Sequence, residues 1–289
     1  MNWKAYKKHA HEAMSATFEI ILPDIAEGRA ASIAKACFDE LDRIESEISS
    51  WQSGSEINLI NQAPAGEAVQ VSLSTLACLA LAKDLHTATS GVFDVTVGPL
   101  LNIWRTKAGQ ARTPDAEEIA RARALCGFDQ LTLDQQQHTA TKRASGVRID
   151  LGGIGKGFGA DELARFLIED YDIETFLINA GTSTVLVKGP PCVLGAGGDT
   201  TLTNQALSGS GFGAKGAHII DPRTGRPITP SAKHAWAIAP TAAAADALST
   251  AFIILQSKEI AQVCAAQQQV GAKLELAKKR YQFFGAWPK

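Results

Sequence analysis

Five glycines fall within the eight residues from Gly152 to Gly159, in the stretch Asp150-Leu-Gly-Gly-Ile-Gly-Lys-Gly-Phe-Gly159. A short strand pattern runs into this stretch and a helical one leaves it. Glycines let backbone N–H groups approach an anion, and a following helix N-terminus adds partial positive charge. Lys156 supplies a full charge for a phosphate. The alternative is a tight turn that needs positive φ at two or three glycines. The stretch is not a P-loop, because Gly157 rather than Ser or Thr follows Lys156. Gly155-Lys-Gly-Phe-Gly-Ala160 matches a dinucleotide fingerprint with Ala in the third place, but the preceding Val-Arg-Ile-Asp is too short and polar for a buried parallel strand.

The pattern around this loop predicts α+β architecture. Met14–Leu22 reads as a strand closed by Pro23, and helical spacing of apolar residues covers about 24–50. Ser53-Gly-Ser-Glu56 has capping-box spacing for a short helix ending near Asn61. Further helices are expected at about 73–89 and from Thr113-Pro114-Asp115 to Gly127. Segments 131–134, 138–141 and 147–150 alternate as an antiparallel meander. A helix at 157–171 precedes strands at 176–179, 185–187, 217–220 and 235–239. Helices at 243–255 and 259–268 and two short strands complete the chain. Helices cluster early and hairpins late, with few βαβ units, which favours mixed or antiparallel sheets with packed helices in a single body spanning 1–289.

The charge balance excludes some partners. The 28 basic and 30 acidic residues leave a net charge of −2 with no basic block, so neither nucleic acid nor an anionic membrane is implied as a partner. The five cysteines are odd in number and lack metal-ligand spacing, as expected of buried reduced thiols. No apolar run reaches membrane-spanning length and the N-terminus has no leader-like apolar region. A cytoplasmic location is expected, or a periplasmic one if a leader has been removed.

Four further features bear on chemistry. Asp246 and Thr250 are four apart on an Ala-rich helix, so one face presents a carboxylate and a hydroxyl suited to a hard cation. Equally, Asp in the first turn offsets the helix dipole and Thr back-bonds to the previous turn. His218-Ile-Ile-Asp221-Pro-Arg-Thr-Gly225 reads as a strand and turn, with His218 a candidate general base. Asp94 and Thr96 share one face of the apolar strand pattern at 91–97, either to line a polar pocket or to cap the next helix. His9 and His11 read as solvated residues near the terminus. Nucleophile-elbow and His-Glu-x-x-His patterns are absent.

Taken in order, these segments resemble the flavin transferase (ApbE) family over about 14–255. The resemblance rests on Met14-Ser-Ala-Thr17, Ser55-Glu56 with Asn61, and Phe93-Asp-Val-Thr-Val-Gly-Pro-Leu100. It continues in Asp150–Gly157, Asn179-Ala-Gly181, His218–Gly225 and Ala245-Asp-Ala-Leu-Ser-Thr250. It implies a T-fold-like α+β body that binds FAD as substrate with Mg²⁺ or Mn²⁺ at its pyrophosphate. A threonine in an Asp/Ser-Gly-Ala/Ser-Thr segment of an acceptor flavoprotein takes up FMN, and AMP leaves. By position, Asp246 and Thr250 hold the metal with backbone carbonyls at Gly153 and Gly155. Met14, Trp51, Glu56, Asp94, Thr96, Lys156, Gly157, Asn179, Gly181, Thr182 and Asp221 join Gly153, Gly155 and His218 around the flavin nucleotide. His218 takes the acceptor's proton. The oligomeric state is left open.

The chain departs from the family pattern in three places. Thr182-Ser183 stand where Gly-Asp is usual, the 190–216 region is short and lacks a tryptophan-bearing strand, and Ser15-Ala16 replace a single Gly before Thr17. The rival readings are an FAD pyrophosphatase giving FMN and AMP, a non-catalytic FAD-binding or delivery protein and, more distantly, a Rossmann oxidoreductase.

Overall fold

In a computed structural model, residues 3–106, 110–195, 199–211, 219–229 and 231–288 are described. Lys8–Ala13 (β1) and Ala16–Ile21 (β2) form a hairpin joined at Met14-Ser15; β2 is the strand expected at 14–22, and β1 is an additional strand before it. Both turn residues have positive φ (51° and 59°), as a two-residue hairpin turn of the primed type requires. The amphipathic helix α1 (Glu27–Ile48) follows. His11 is not free in solvent: it sits 2.7 Å from Asp42 and stacks on Phe38 of that helix.

α2 (Glu56–Gln62) starts two residues later than the Ser53 spacing suggests, because Ser55 is the residue whose hydroxyl accepts from the Asn58 N–H. Glu56 turns away and accepts from both the N–H and the hydroxyl of Ser72. β3 (Ala68–Gln70), α3 (Leu73–Ala88), α4 (Gly98–Ile103) and α5 (Ala116–Arg123) come next. A full capping box of Asp115 with Glu118 opens α5. β4 (Leu131–Asp134) and β5 (Thr139–Lys142) pair as expected, but the third strand is β3 and not 147–150. That segment leaves the meander because Asn61 takes its hydrogen bonds. The Asn61 side chain donates to the Ile149 carbonyl at 3.0 Å and accepts from the Ile149 N–H at 2.7 Å.

Then come α6 (Gly155–Tyr171), β6 (Phe176–Ala180), β7 (Thr184–Lys188), β8 (Cys192–Leu194), β9 (Thr200–Leu202) and β10 (Gln205–Gly211). The chain ends with β11 (Ile220–Asp221), β12 (Arg226–Pro227), β13 (His234–Ala239), α7 (Ala242–Ile254), α8 (Ser257–Ala266), β14 (Gly271–Glu275) and β15 (Tyr281–Gly285). Half of the strand expected at 217–220, His218 included, lies outside the described residues, and its end is the start of β11.

The described residues group into two compact units. One comprises Met1–Glu45, Ile154–Gly211 and Ser231–Lys289. Its frame is an eight-stranded sheet in the order β1-β2-β6-β7-β10-β13-β14-β15, antiparallel at every pairing. Ile21, Leu177, Val187, Leu207 and Ile238 belong to an apolar cluster that Trp3, Leu202 and Trp287 help to close. α7 packs on β10 and β13, and α6 packs on α7. Because α7 is alanine-rich and nearly every residue along it is buried, it can lie close to the sheet. The α+β reading with antiparallel sheets holds.

The other unit, Ser46–Gly153 with Phe212–Pro230, carries α2 to α5, the β3-β5-β4 sheet and the β11–β12 hairpin. Residues 91–97 form turns here and not the strand their alternation suggested. The cause is local: the buried Asp94 carboxylate accepts from the Thr96 N–H and hydroxyl at 2.8 and 2.6 Å, curling the backbone. Its other oxygen, with the Thr96 hydroxyl oxygen, receives the Gly127 N–H at 2.9 and 2.7 Å. Asp94→Ala leaves that buried N–H and hydroxyl short of an acceptor and is expected to cost about 2–3 kcal/mol. Urea denaturation would measure it.

Candidate functional site

Asp246 lies on α7 and is 5% exposed. Its carboxylate looks across at the first turn of α6. The Gly157 N–H donates to Oδ2 at 3.3 Å, and Lys156 Nζ lies 3.5 Å from the same oxygen. No side chain caps α6 from its own N-cap position, Ile154, so Asp246 supplies a capping acceptor from outside the helix. Burial pushes the Asp246 carboxyl above the usual range, with Lys156, the Gly157 N–H and Ser208 pulling the other way.

Gly157 and Gly159 of the α6 entrance act through contact and not through backbone freedom. None of the five between Gly152 and Gly159 has positive φ, which removes the tight-turn alternative. A Cβ on Gly157 would come within 2.4 Å of the Ala242 carbonyl oxygen, so this glycine lets α6 and α7 touch. One on Gly159 would meet Leu41 Cδ1 at 2.9 Å and Met14 Cε at 3.0 Å, which places Met14 against the helix. Gly155 is the first residue of α6, and Gly153 belongs to the turn before it.

A row of hydroxyls completes the surroundings of Asp246. Ser208 donates to Asp246 Oδ1 at 3.3 Å and lies 2.8 Å from the Thr184 hydroxyl, its register partner on β7. Ser210, two residues along β10, meets Ser249 at 2.9 Å and Thr250 at 3.2 Å. Thr250 and Ser249 both donate to the Asp246 carbonyl. Ser208, Ser210, Thr184 and Ser249 were missed in the sequence, although the period-two spacing of Ser208 and Ser210 places both on one strand face. Ser183 extends the row, 3.5 Å from Thr184, at one of the positions that depart from the family pattern.

The remaining candidates in this unit sit on the β6–β7 hairpin. Asn179 donates to Glu19 at 2.7 Å, Gly181 turns the chain at φ 67°, and Thr182 is exposed. In the other unit, Glu56 ties α2 to the Ser72 cap and Asp94 with Thr96 holds the Gly127 turn, as described above. Asp221 is buried and grips the backbone N–H and guanidinium of Arg223. Trp51 is 80% exposed. Among the described residues no three His, Cys, Asp or Glu side chains gather to hold a metal, and all five cysteines are free. Among the described residues no helix is long and apolar enough to cross a membrane.

Residues 14–274 match the model of the ApbE family. The FAD:protein FMN transferase of Haemophilus influenzae is 28% identical over 276 residues, covering 84% of this chain and 79% of the relative. That of Klebsiella pneumoniae is 27% identical and covers 96% and 85%. The solved structure of the flavin transferase ApbE from Vibrio cholerae shares the fold with a TM-score of 0.80 at 26% identity, over 97% of both chains. With one family model covering most of its length and a shared fold over 97% of the chain, the chain belongs to the ApbE family.

Proposed function

We propose that this protein is an FAD:protein FMN transferase that moves FMN from FAD onto a threonine hydroxyl of an acceptor flavoprotein. The observation that carries the reading is the buried Asp246 carboxylate, held against Lys156 and the first turn of α6 with hydroxyls on its other side. The N-terminus of α6 lies near it, and its partial positive charge suits a pyrophosphate. The threonine oxygen forms a bond to the FMN phosphorus, the phosphoanhydride bond to AMP breaks, and AMP carries away the electron pair. His218 accepts the threonine proton.

The residues present fit a hard divalent cation. The hydroxyls around Asp246, those of Ser208, Ser249 and Thr250, offer oxygen ligands beside its carboxylate. With a single carboxylate, the set suits Mg²⁺ or Mn²⁺ shared with substrate phosphates better than a cage built wholly from protein. Asp246 and Thr250 would hold the ion, with carbonyls at Gly153 and Gly155. When bound, the ion offsets charge on the pyrophosphate as its bridging bond breaks. Lys156 adds a fixed charge for the phosphates, and Ser208 keeps the carboxylate turned toward them.

The test is intact-mass spectrometry of a carrier peptide containing Asp-Gly-Ala-Thr, incubated with this protein, FAD and Mg²⁺. The expected outcome is a gain of one FMN that needs the metal and disappears when the threonine becomes alanine. FMN and AMP accumulating without peptide modification would replace the transferase by a pyrophosphatase. Intact FAD with every acceptor offered would leave a binding or delivery protein.

A further inference from the structure

Asp161 has no place in the chemistry above, yet it is a half-buried carboxylate with two short hydrogen bonds. It lies on α6, one turn after Gly157, and accepts from two N–H groups of a different helix. The Ala242 N–H reaches Oδ1 at 2.7 Å and the Ala243 N–H reaches Oδ2 at 2.8 Å. These are first-turn donors of α7, left without intrahelical partners. Thr241, the N-cap residue of α7, serves the next one, Ala244, at 3.3 Å. Burial raises the Asp161 carboxyl to about 6 even against those bonds, so the group is held there at a cost.

The two helices therefore cap each other. Asp246 of α7 accepts from Gly157 at the N-terminus of α6, and Asp161 of α6 accepts from Ala242 and Ala243 at the N-terminus of α7. Gly157 and Asp161 are four apart, as are Ala242 and Asp246, so each pair occupies one helix face. The contact is closed at Gly157, where no Cβ fits beside Ala242. Thr241 caps from within its own segment and cannot fix α7 against α6, whereas Asp161 bridges the two.

From this geometry we infer that Asp161 is a positioning residue, which sets the register of α7 on α6 and so holds the Asp246 carboxylate at Lys156 and Gly157. The inference rests on the proposed function only for its consequence, metal and phosphate binding. The reciprocal capping is a property of the fold alone.

Two measurements on the full chain separate these levels. The first is amide exchange at Gly157, read by NMR without FAD or metal. Asp161→Asn keeps one acceptor oxygen but turns an NH₂ toward the second N–H, and is expected to speed Gly157 exchange about tenfold. Thr241→Ala removes a cap from the same helix end, lowers Tm comparably, and leaves Gly157 exchange at the parental rate. The second is Mn²⁺ affinity in the presence of FAD, followed by titration calorimetry. Asp161→Asn is expected to weaken it about tenfold, as loss of a group that orients a metal ligand does. Thr241→Ala is expected to leave it unchanged. Parental exchange in Asp161→Asn, or equal acceleration in both variants, would overturn the inference. If Asp161→Asn does not fold, Asp161→Glu keeps both acceptors one methylene further out. Several-fold faster Gly157 exchange is expected there, and parental exchange would overturn the inference equally. Failure of the parental chain to bind Mn²⁺ with FAD would count against the proposed function while the exchange comparison still decides the role of Asp161.

Discussion

Asp246→Ala is expected to lower FMN transfer about a thousandfold or more, because on the proposed function it removes the carboxylate that would hold a cation on the pyrophosphate. Single-turnover transfer to the carrier peptide, read by mass, would show it. Full activity in this variant would exclude Asp246 as the metal ligand. Asp246→Asn separates chemistry from stability, because it preserves shape and an acceptor while removing the charge. Burial raises the Asp246 carboxyl above its unfolded value. A raised carboxyl makes the native state less stable as pH climbs above the unfolded value near 3.8, and that loss is absent below it. Asp246→Asn is therefore expected to melt at a higher temperature than the parent at pH 8, with the gain shrinking toward pH 4, while transfer is lost. A lower melting temperature at pH 8 would mean that pairing with Lys156 outweighs burial.

Gly157→Ala carries the second large effect, this time on stability. Alanine gains about 1 kcal/mol over glycine in a helix interior. Here the added Cβ would stand 2.4 Å from the Ala242 oxygen, 2.6 Å from its carbonyl carbon and 2.7 Å from Ala243 Cα. All three are backbone atoms, so relief requires the helices to move apart. The net cost is expected to be about 2–3 kcal/mol, in the range of overpacked cores. Transfer should fall as well, since the Gly157 N–H and Asp246 separate with the helices. Gly159→Ala is the comparison. Its Cβ meets Leu41 Cδ1 and the end of Met14, which can shift, so about 1 kcal/mol or less is expected. Chemical denaturation of both variants decides the matter, and equal losses would contradict the account of Gly157 as the point of helix contact.

Much of this architecture was legible because local signals agree with it. Ser55 and Asp115 rather than Ser53 and Thr113 are the capping residues. Both helix starts were still legible to within two residues, since a cap acts on an N–H three residues on, a relation contained within one turn. Asp246 and Thr250 fall on one face for the same reason. The errors arose where local pattern and distant partner compete. Val92, Phe93 and Val95 are buried as a strand's apolar face would be, but Asp94 curls the chain around Thr96 and Gly127. Residues 147–150 alternate like a strand, but Asn61 takes up the Ile149 backbone groups from 88 residues away.

The sequence alone determined the order and type of most elements and the placement of a charged Gly-Lys turn before a helix, because periodicity and caps act over a few residues. Only the tertiary structure decided what that turn is for. The glycines could equally have served positive φ, and nothing local distinguishes φ from contact. It is α7, packed on α6, that makes Gly157 a contact point and turns Asp161 and Asp246 into reciprocal caps. The Ser208 hydroxyl reaches Asp246, and the Thr184 hydroxyl reaches Ser208, through antiparallel register on the sheet beneath. Such pairings depend on which strand lies beside which, a choice made by burial of the whole sheet and not by any one segment.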